Sequence, residues 1–219
     1  MAQAKRTPTR AVYQIKVTLQ GSKPPIWRRI QITSDITLVQ LHRILQRVMG
    51  WEGSHLYQFV MGGIAYGDPG MVGEWDVEDA RTVTLAALVR GEKSKLLYEY
   101  DFGDSWEHEL LVEKRLPLDE GKRYPVCLTG KRACPPEDCG GVWGYVSFLA
   151  AIHDPKHPEH EEMLEWIGGE FDPEVFDLDE VNIERQRLTS SEAPSALSGR
   201  GRMDTVTARP SAGQTVLAS

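Results

Sequence analysis

Long apolar runs, paired cysteines and the common catalytic signatures are all missing from this 219-residue chain. No stretch approaches the ~18 apolar residues of a membrane-spanning helix. The opening Met1-Ala-Gln-Ala-Lys-Arg-Thr-Pro8 lacks the apolar core of a secretory signal. Three cysteines, an odd number, fit a reducing compartment better than a disulfide framework. The expected location is therefore cytoplasmic, with no membrane partner. There is no Gly-x-x-x-x-Gly-Lys-Ser/Thr phosphate loop, no Gly-x-Ser-x-Gly elbow and no His-Glu-x-x-His zinc helix. Nothing local supports a cysteine nucleophile paired with a histidine.

Acids are scarce at the start. Residues 1–50 hold nine Lys and Arg against the single acid Asp35, a local +8. Residues 101–180 hold seven Lys and Arg against twenty Asp and Glu, a local −13. The basic third could meet phosphates only if the acidic part lay on another face. With a net charge of −7 and a pI near 5.4, nucleic acid is disfavoured as a partner.

What is present suffices for a core: 41% hydrophobic residues and six tryptophans. At roughly 100–200 residues per domain, one large domain is expected. Residues 1–10 are polar and read as loose. Residues 189–219 carry no aromatic and no sustained period, so they read as a disordered tail. The single folded domain is then 11–188.

Within it, Tyr13, Ile15, Val17 and Leu19 alternate as a strand, and Ile26, Arg28, Ile30 and Ile32 follow a Gly-Ser-Lys-Pro-Pro turn as a second. Leu38, Leu41, Leu45 and Val48 recur at helical spacing between Thr37, an N-cap, and Gly50, a stop, which predicts a helix over 38–49. His55, Tyr57, Phe59 and Met61 alternate again, and Gly62-Gly63 turns into a short strand at 64–66. A short helix at 84–89 and strands at 96–102 and 106–113 complete the pattern. This order predicts an α+β fold with a β-grasp-like mixed sheet and one crossing helix. A cysteine- and proline-rich loop is expected over 123–144. Helices near 145–153 and 159–167 come next, and Asp172-Pro173 starts a last helical turn anchored by Phe176.

Two segments could carry chemistry. In the hairpin around Gly103, a two-residue loop would put Glu107 and Glu109 on the tyrosine face. A three-residue loop pairs Phe102 with Trp106, Tyr100 with His108 and Tyr98 with Leu110, keeping one face aromatic, and is the register expected. The other face then carries Glu99, Asp101, Glu107 and Glu109. These carboxylates suit a hard cation or acid–base work, or simply a charged, solvated strand face. Asp104 can cap its own turn, and His108 beside Tyr100 reads as a core histidine or as a ligand. The second segment is Cys127-x6-Cys134-x4-Cys139. Three thiolates with His108 would complete a tetrahedral zinc site, though the spacing is wider than that of strong zinc motifs. Glu137 and Asp138 would cap the helix near Gly144 or ligate a metal. His153, His157 and His160 read as a hydrophilic helix entry.

Several blocks together resemble the plasmid pRiA4b ORF-3-like family. They are Pro25-Ile-Trp-Arg-Arg29, Met49-Gly-Trp51 with His55-Leu-Tyr-Gln-Phe59, Tyr100-Asp-Phe-Gly-Asp-Ser-Trp-Glu-His108, Ala133-Cys-Pro-Pro-Glu-Asp-Cys-Gly-Gly141 and Glu165-Trp-Ile-Gly-Gly-Glu-Phe-Asp-Pro173. The resemblance covers about 11–188 and implies a compact α+β domain found on plasmids and transposable elements, without an established activity. Members are sometimes labelled passenger or resolvase-like proteins. The nucleophilic serine with arginine helpers that a resolvase implies has no counterpart here.

Two readings follow. The first is a non-enzymatic interaction or regulatory module with a protein partner, motivated by Trp27, Trp51, Tyr57, Trp106 and Trp143. The second is a metal-dependent, hydrolytic enzyme with zinc as the implied metal. It requires Asp101, Asp104, His108, Cys127, Cys134, Glu137 and Asp138 to converge, with Cys139 and His108 among the ligands. The absence of a sharp catalytic spacing favours the first.

Overall fold

Alternating apolar and polar residues gather the strands into one sheet. The computed structural model of the chain describes residues 10–70 and 77–182. The expected loose N-terminus at 1–10, apart from Arg10, and the expected tail at 189–219 lie outside the described residues. Strands β1 (Ala11–Leu19) and β2 (Trp27–Thr33) lead into helix α1 (Leu38–Met49). Strands β3 (Tyr57–Met61), β4 (Ile64–Gly67) and β5 (Glu78–Asp79) precede the short helix α2 (Leu85–Leu88). Then come β6 (Lys95–Tyr100), β7 (Trp106–Pro117), β8 (Val126–Lys131) and helices α3 (Gly141–His153) and α4 (His160–Ile167). Residues 178–182 are helical again. The strands form one eight-stranded sheet in the order β5-β4-β3-β6-β7-β1-β2-β8, antiparallel except where β4 meets β5. The fold is α+β, with a mixed sheet and one helix across a face, as the element order predicts. No helix of the described residues is long and apolar enough to cross a membrane.

Period two assigns the two faces. Ile15, Val17, Leu19, Ile30, Ile32, Tyr98, Tyr100, Trp106, His108 and Leu110 are buried. The positions between them carry a polar belt, in which Arg29 reaches Glu113 at 2.7 Å and Gln14 reaches it at 2.9 Å. Helix α1 covers the apolar face with Leu38, Leu41, Ile44, Leu45, Val48 and Met49. Each such burial stabilises by about 1.5–3 kcal/mol, so packing rather than propensity holds this helix. A capping box starts it: Thr37 accepts from Gln40 N, and the Gln40 side chain accepts from Thr37 N. Gly50, left-handed at φ 89°, ends it.

Arg28 ties β2 to the end of this helix. It is 2% exposed, and its Nε donates to Val48 O at 2.8 Å. Nη1 donates to Trp27 O and Lys131 O, each at 3.0 Å. Its guanidinium lies 4.3 Å from the centre of the Phe176 ring, so Phe176 is an anchor as expected, but Asp172-Pro173 starts only a turn at 173–174 and not a helix. Beyond β2, Asn182 caps the outer edge of β8. Its Oδ1 accepts from Cys127 N at 3.1 Å, and its Nδ2 donates to Cys127 O at 3.0 Å.

Three expectations need correction. The hairpin pairs Tyr100 with Trp106 and Tyr98 with His108, so its loop is five residues, 101–105. The slip from the expected register is two residues, and period two therefore leaves the aromatic face intact. Asp101 and Phe102 leave the strand, and Asp101 takes a left-handed φ of 57°. The acidic face thus holds Glu99, Glu107 and Glu109 without Asp101. Glu99 accepts from Gln58 at 2.7 Å, and Glu109 pairs with Lys95 at 2.8 Å. Finally, the supposed loop at 123–144 contains β8, which pairs with β2.

Candidate functional site

The aromatic face of the β6–β7 hairpin fixes a polar corner beside it. Trp51, just past α1, packs 5.2 Å from Tyr100, 5.7 Å from Trp106 and 5.3 Å from His108, ring centre to ring centre. Its Nε1 donates to Pro135 O at 2.9 Å. This bond docks the cysteine-bearing loop against the end of α1. Glu137 in that loop accepts from the Tyr100 hydroxyl and, at 3.1 Å, from Glu52 N. Burial, and then the Glu137 carboxylate, push the Tyr100 hydroxyl up to about 12, so it stays a proton donor.

His55 lies where the two loops meet. Its Nδ1 is 3.8 Å from Asp101 Oδ2, and its Nε2 is 3.2 Å from Asp138 Oδ1. That Nε2 is shielded from solvent and makes no hydrogen bond of ordinary geometry. Asp101 is held by its turn, with Oδ1 accepting from Gly103 N at 2.9 Å. Asp138 is also left-handed, at φ 60°, a conformation aspartate and asparagine tolerate better than most residues. His55, Asp101 and Asp138 each offer a ligand atom within 4.8 Å of the others.

A cleft of about 1490 Å³ runs from this corner across α1. His42, Arg43, Gln46 and Arg47 form its helical wall, and His55, Asp101 and Gly103 its rim. Gln46 Nε2 donates to the Tyr98 hydroxyl at 2.7 Å, and that hydroxyl lies 2.8 Å from His42 Nδ1. Burial and the neighbouring Arg43 lower His42 to about 4, so it is neutral at pH 7. The hydroxyl then donates to Nδ1, and the Nε2–H is left to the other side of the ring. The His42 ring stacks on Tyr57 at 3.7 Å. Arg43 and Arg47 form no ion pair among the described residues.

The remaining sequence candidates divide sharply. His108 is wholly buried, with Nδ1 at 3.0 Å from Trp106 O. Among the described residues, no three of His108, Cys127, Cys134 and Cys139 bring ligand atoms together. The tetrahedral set expected from spacing is therefore not assembled, because His108 points into the aromatic core. Burial raises all three thiols, Cys134 and Cys139 to about 12, so none is a ready thiolate. Asp104 does not cap its own turn; its Oδ2 accepts from Gly140 N at 3.1 Å, at the start of α3. Glu137 braces Tyr100 rather than capping that helix. His153 and His160 bond to Leu149 O and Ala151 O at 2.7 and 2.9 Å, and His157 accepts from Glu159 N. Of the aromatics, Trp51 and Trp106 are core, while Trp143 is 85% exposed.

His55 is the site residue that the alternating pattern hid. It reads as the first residue of a strand, yet β3 begins at Tyr57. The polar Gly53-Ser54 just before it was the available signal of a loop.

Comparison with known proteins agrees with this architecture. A family model described as plasmid pRiA4b ORF-3-like protein matches residues 11–180. The uncharacterized protein y4hQ of Sinorhizobium fredii (strain NBRC 101917 / NGR234) is 40% identical over 176 residues, covering 78% of this chain and 89% of the relative. The crystal structure of the protein of unknown function MM3350 from Methanosarcina mazei Go1 aligns with a TM-score of 0.72 at 38% identity. That match covers 78% of this chain and 97% of the other.

Proposed function

The chain belongs to the plasmid pRiA4b ORF-3-like family, and on that footing we propose that it is a non-enzymatic interaction module that holds an extended segment of a protein partner in the cleft over α1. The observation that carries this reading is the cleft itself. At about 1490 Å³ it exceeds the roughly 300–1,000 Å³ typical of small-molecule pockets. Its helical wall offers Arg43 and Arg47, which form no ion pair among the described residues, while Glu52, Asp68, Asp177 and Glu180 lie elsewhere along it. A lining with charges of both signs matches a peptide bearing both signs and opposes a uniformly anionic nucleic-acid strand. A photo-cross-linking residue at position 43 of the full chain, expressed in cells, tests this directly. One protein should be captured there and not from position 95, and Arg47→Glu should reduce the capture about tenfold, the loss of roughly one good charged contact. Adducts equally frequent from both positions, or nucleic acid from position 43, would overturn it.

A metal-dependent, hydrolytic enzyme is the second reading. The placement of His55 between two carboxylates at the rim of the cleft favours it. Metal-stimulated turnover of phosphate esters or peptides that disappears in Asp101→Asn would replace the interaction reading.

A further inference from the structure

We propose that His55, Asp101 and Asp138 bind one divalent transition cation at the rim of the cleft. This site stands whether the cleft holds a peptide or a substrate. It differs in place and composition from the three-cysteine set that spacing alone suggests.

The first support is the donor set. One imidazole and two carboxylates offer ligand atoms within 4.8 Å of one another. Zinc-type bonds of about 2.0–2.2 Å bring ligand atoms to roughly 3.3–3.6 Å of each other. The His55 Nε2–Asp138 Oδ1 pair, at 3.2 Å, already meets that spacing. The 3.8 Å contact of Asp101 is to Nδ1, the other ring nitrogen, so a small turn of the Asp101 carboxylate, within the 4.8 Å that spans the set, brings it to the same ion. With neutral imidazole the set carries two negative charges, which a divalent ion neutralises. An imidazole nitrogen beside two oxygens suits zinc or manganese, whereas magnesium and calcium favour all-oxygen cages.

The second support is independent of spacing. The His55 Nε2 atom is closed off from solvent and, although 3.2 Å from Asp138 Oδ1, makes no hydrogen bond of ordinary geometry among the described residues. Leaving such a buried polar atom unsatisfied costs about 1–3 kcal/mol. A coordinate bond from that nitrogen removes the penalty.

The surroundings hold all three ligands in place before any ion arrives. Asp101 Oδ1 is engaged by Gly103 N, which leaves Oδ2 toward His55. The His55 backbone N–H donates to the Tyr100 hydroxyl at 3.3 Å. Asp138 follows Glu137, which that same hydroxyl and Glu52 N secure. Tyr100 is thus the common brace of the two loops. Outer partners of this kind tune metal affinity by roughly 10–100-fold.

The competing account is a metal-free imidazolium flanked by two carboxylates. Calorimetric titration of the full, tag-free chain with zinc chloride at pH 7.5 separates the two, with manganese and magnesium chlorides as parallel probes. Stoichiometry should be near one, with zinc or manganese bound and magnesium at millimolar concentration unable to compete. Asp101→Asn and Asp138→Asn should each weaken zinc at least about tenfold. Asparagine tolerates the left-handed backbone at both positions, so these variants keep the loops, and their melting without metal should match that of the parent. Cobalt(II) should give visible absorption bands that vanish in His55→Gln and persist when the three cysteines are changed to serine. Absence of zinc and manganese binding, or binding that survives the asparagine changes or follows the cysteines, overturns the assignment.

Discussion

Acid should unfold this protein partly through one histidine in its core. His108 is wholly buried among Trp51, Tyr98 and Trp106. Its Nδ1 donates to Trp106 O, and its Nε2 makes no hydrogen bond of ordinary geometry among the described residues. A proton on Nε2 would place a charge among aromatic rings, so burial pulls the group down from 6.5 to about 4. Between those values the unfolded chain binds a proton that the native chain does not, so stability falls as pH falls through that window and levels off below it. The full gap corresponds to roughly 3 kcal/mol, of which about 2–3 kcal/mol is lost between pH 7 and pH 4.5. That is a sizeable share of the 5–15 kcal/mol typical of a domain. Urea denaturation at both pH values, for the parent and for His108→Gln, isolates the contribution. His42 and the carboxylates titrate in both proteins and cancel. The parent should lose about 2–3 kcal/mol more than the variant. Equal losses in the two proteins, or an NMR titration of His108 near 6.5, would refute the reasoning.

Two further outcomes follow from close contacts. Arg28→Lys keeps the charge but not the fork that serves three carbonyls, and should cost about 3 kcal/mol in urea denaturation. A Cβ at Gly144 would sit 1.9 Å from Cys139 O, so Gly144→Ala must displace the loop that carries Asp138. It should lower stability by about 1–3 kcal/mol and weaken zinc in the same calorimetric titration.

Local chemistry made α1 legible to the residue. Thr37, Gln40 and Gly50 act on backbone groups within one turn, so the sequence states both ends of that helix. The hairpin was legible in its faces but not in its loop. Period two distinguishes one side of a strand from the other and is indifferent to a slip of two, and only the five-residue turn sets Asp101 free to meet His55. Strand β8 was hidden because Val126 to Lys131 lies among cysteines, prolines and glycines, and its reason to exist is the open edge of β2, more than ninety positions earlier in the chain. The candidate site shows the same division. Asp101 and Asp138 were picked out by residue type. Their joint partner comes from a segment whose neighbours alternate like a strand, and only the tertiary contact of Trp51 with Pro135 brings the three together.

The side-chain amide of Asn182 has a practical consequence for defining this domain. The family match ends at residue 180, two positions short of the group that mimics a neighbouring strand for Cys127. A fragment trimmed to the matched boundary would leave that N–H and carbonyl bare on an outermost strand, where another chain's strand can add itself. The recognisable part of the molecule is therefore slightly smaller than the part that covers its outermost strand.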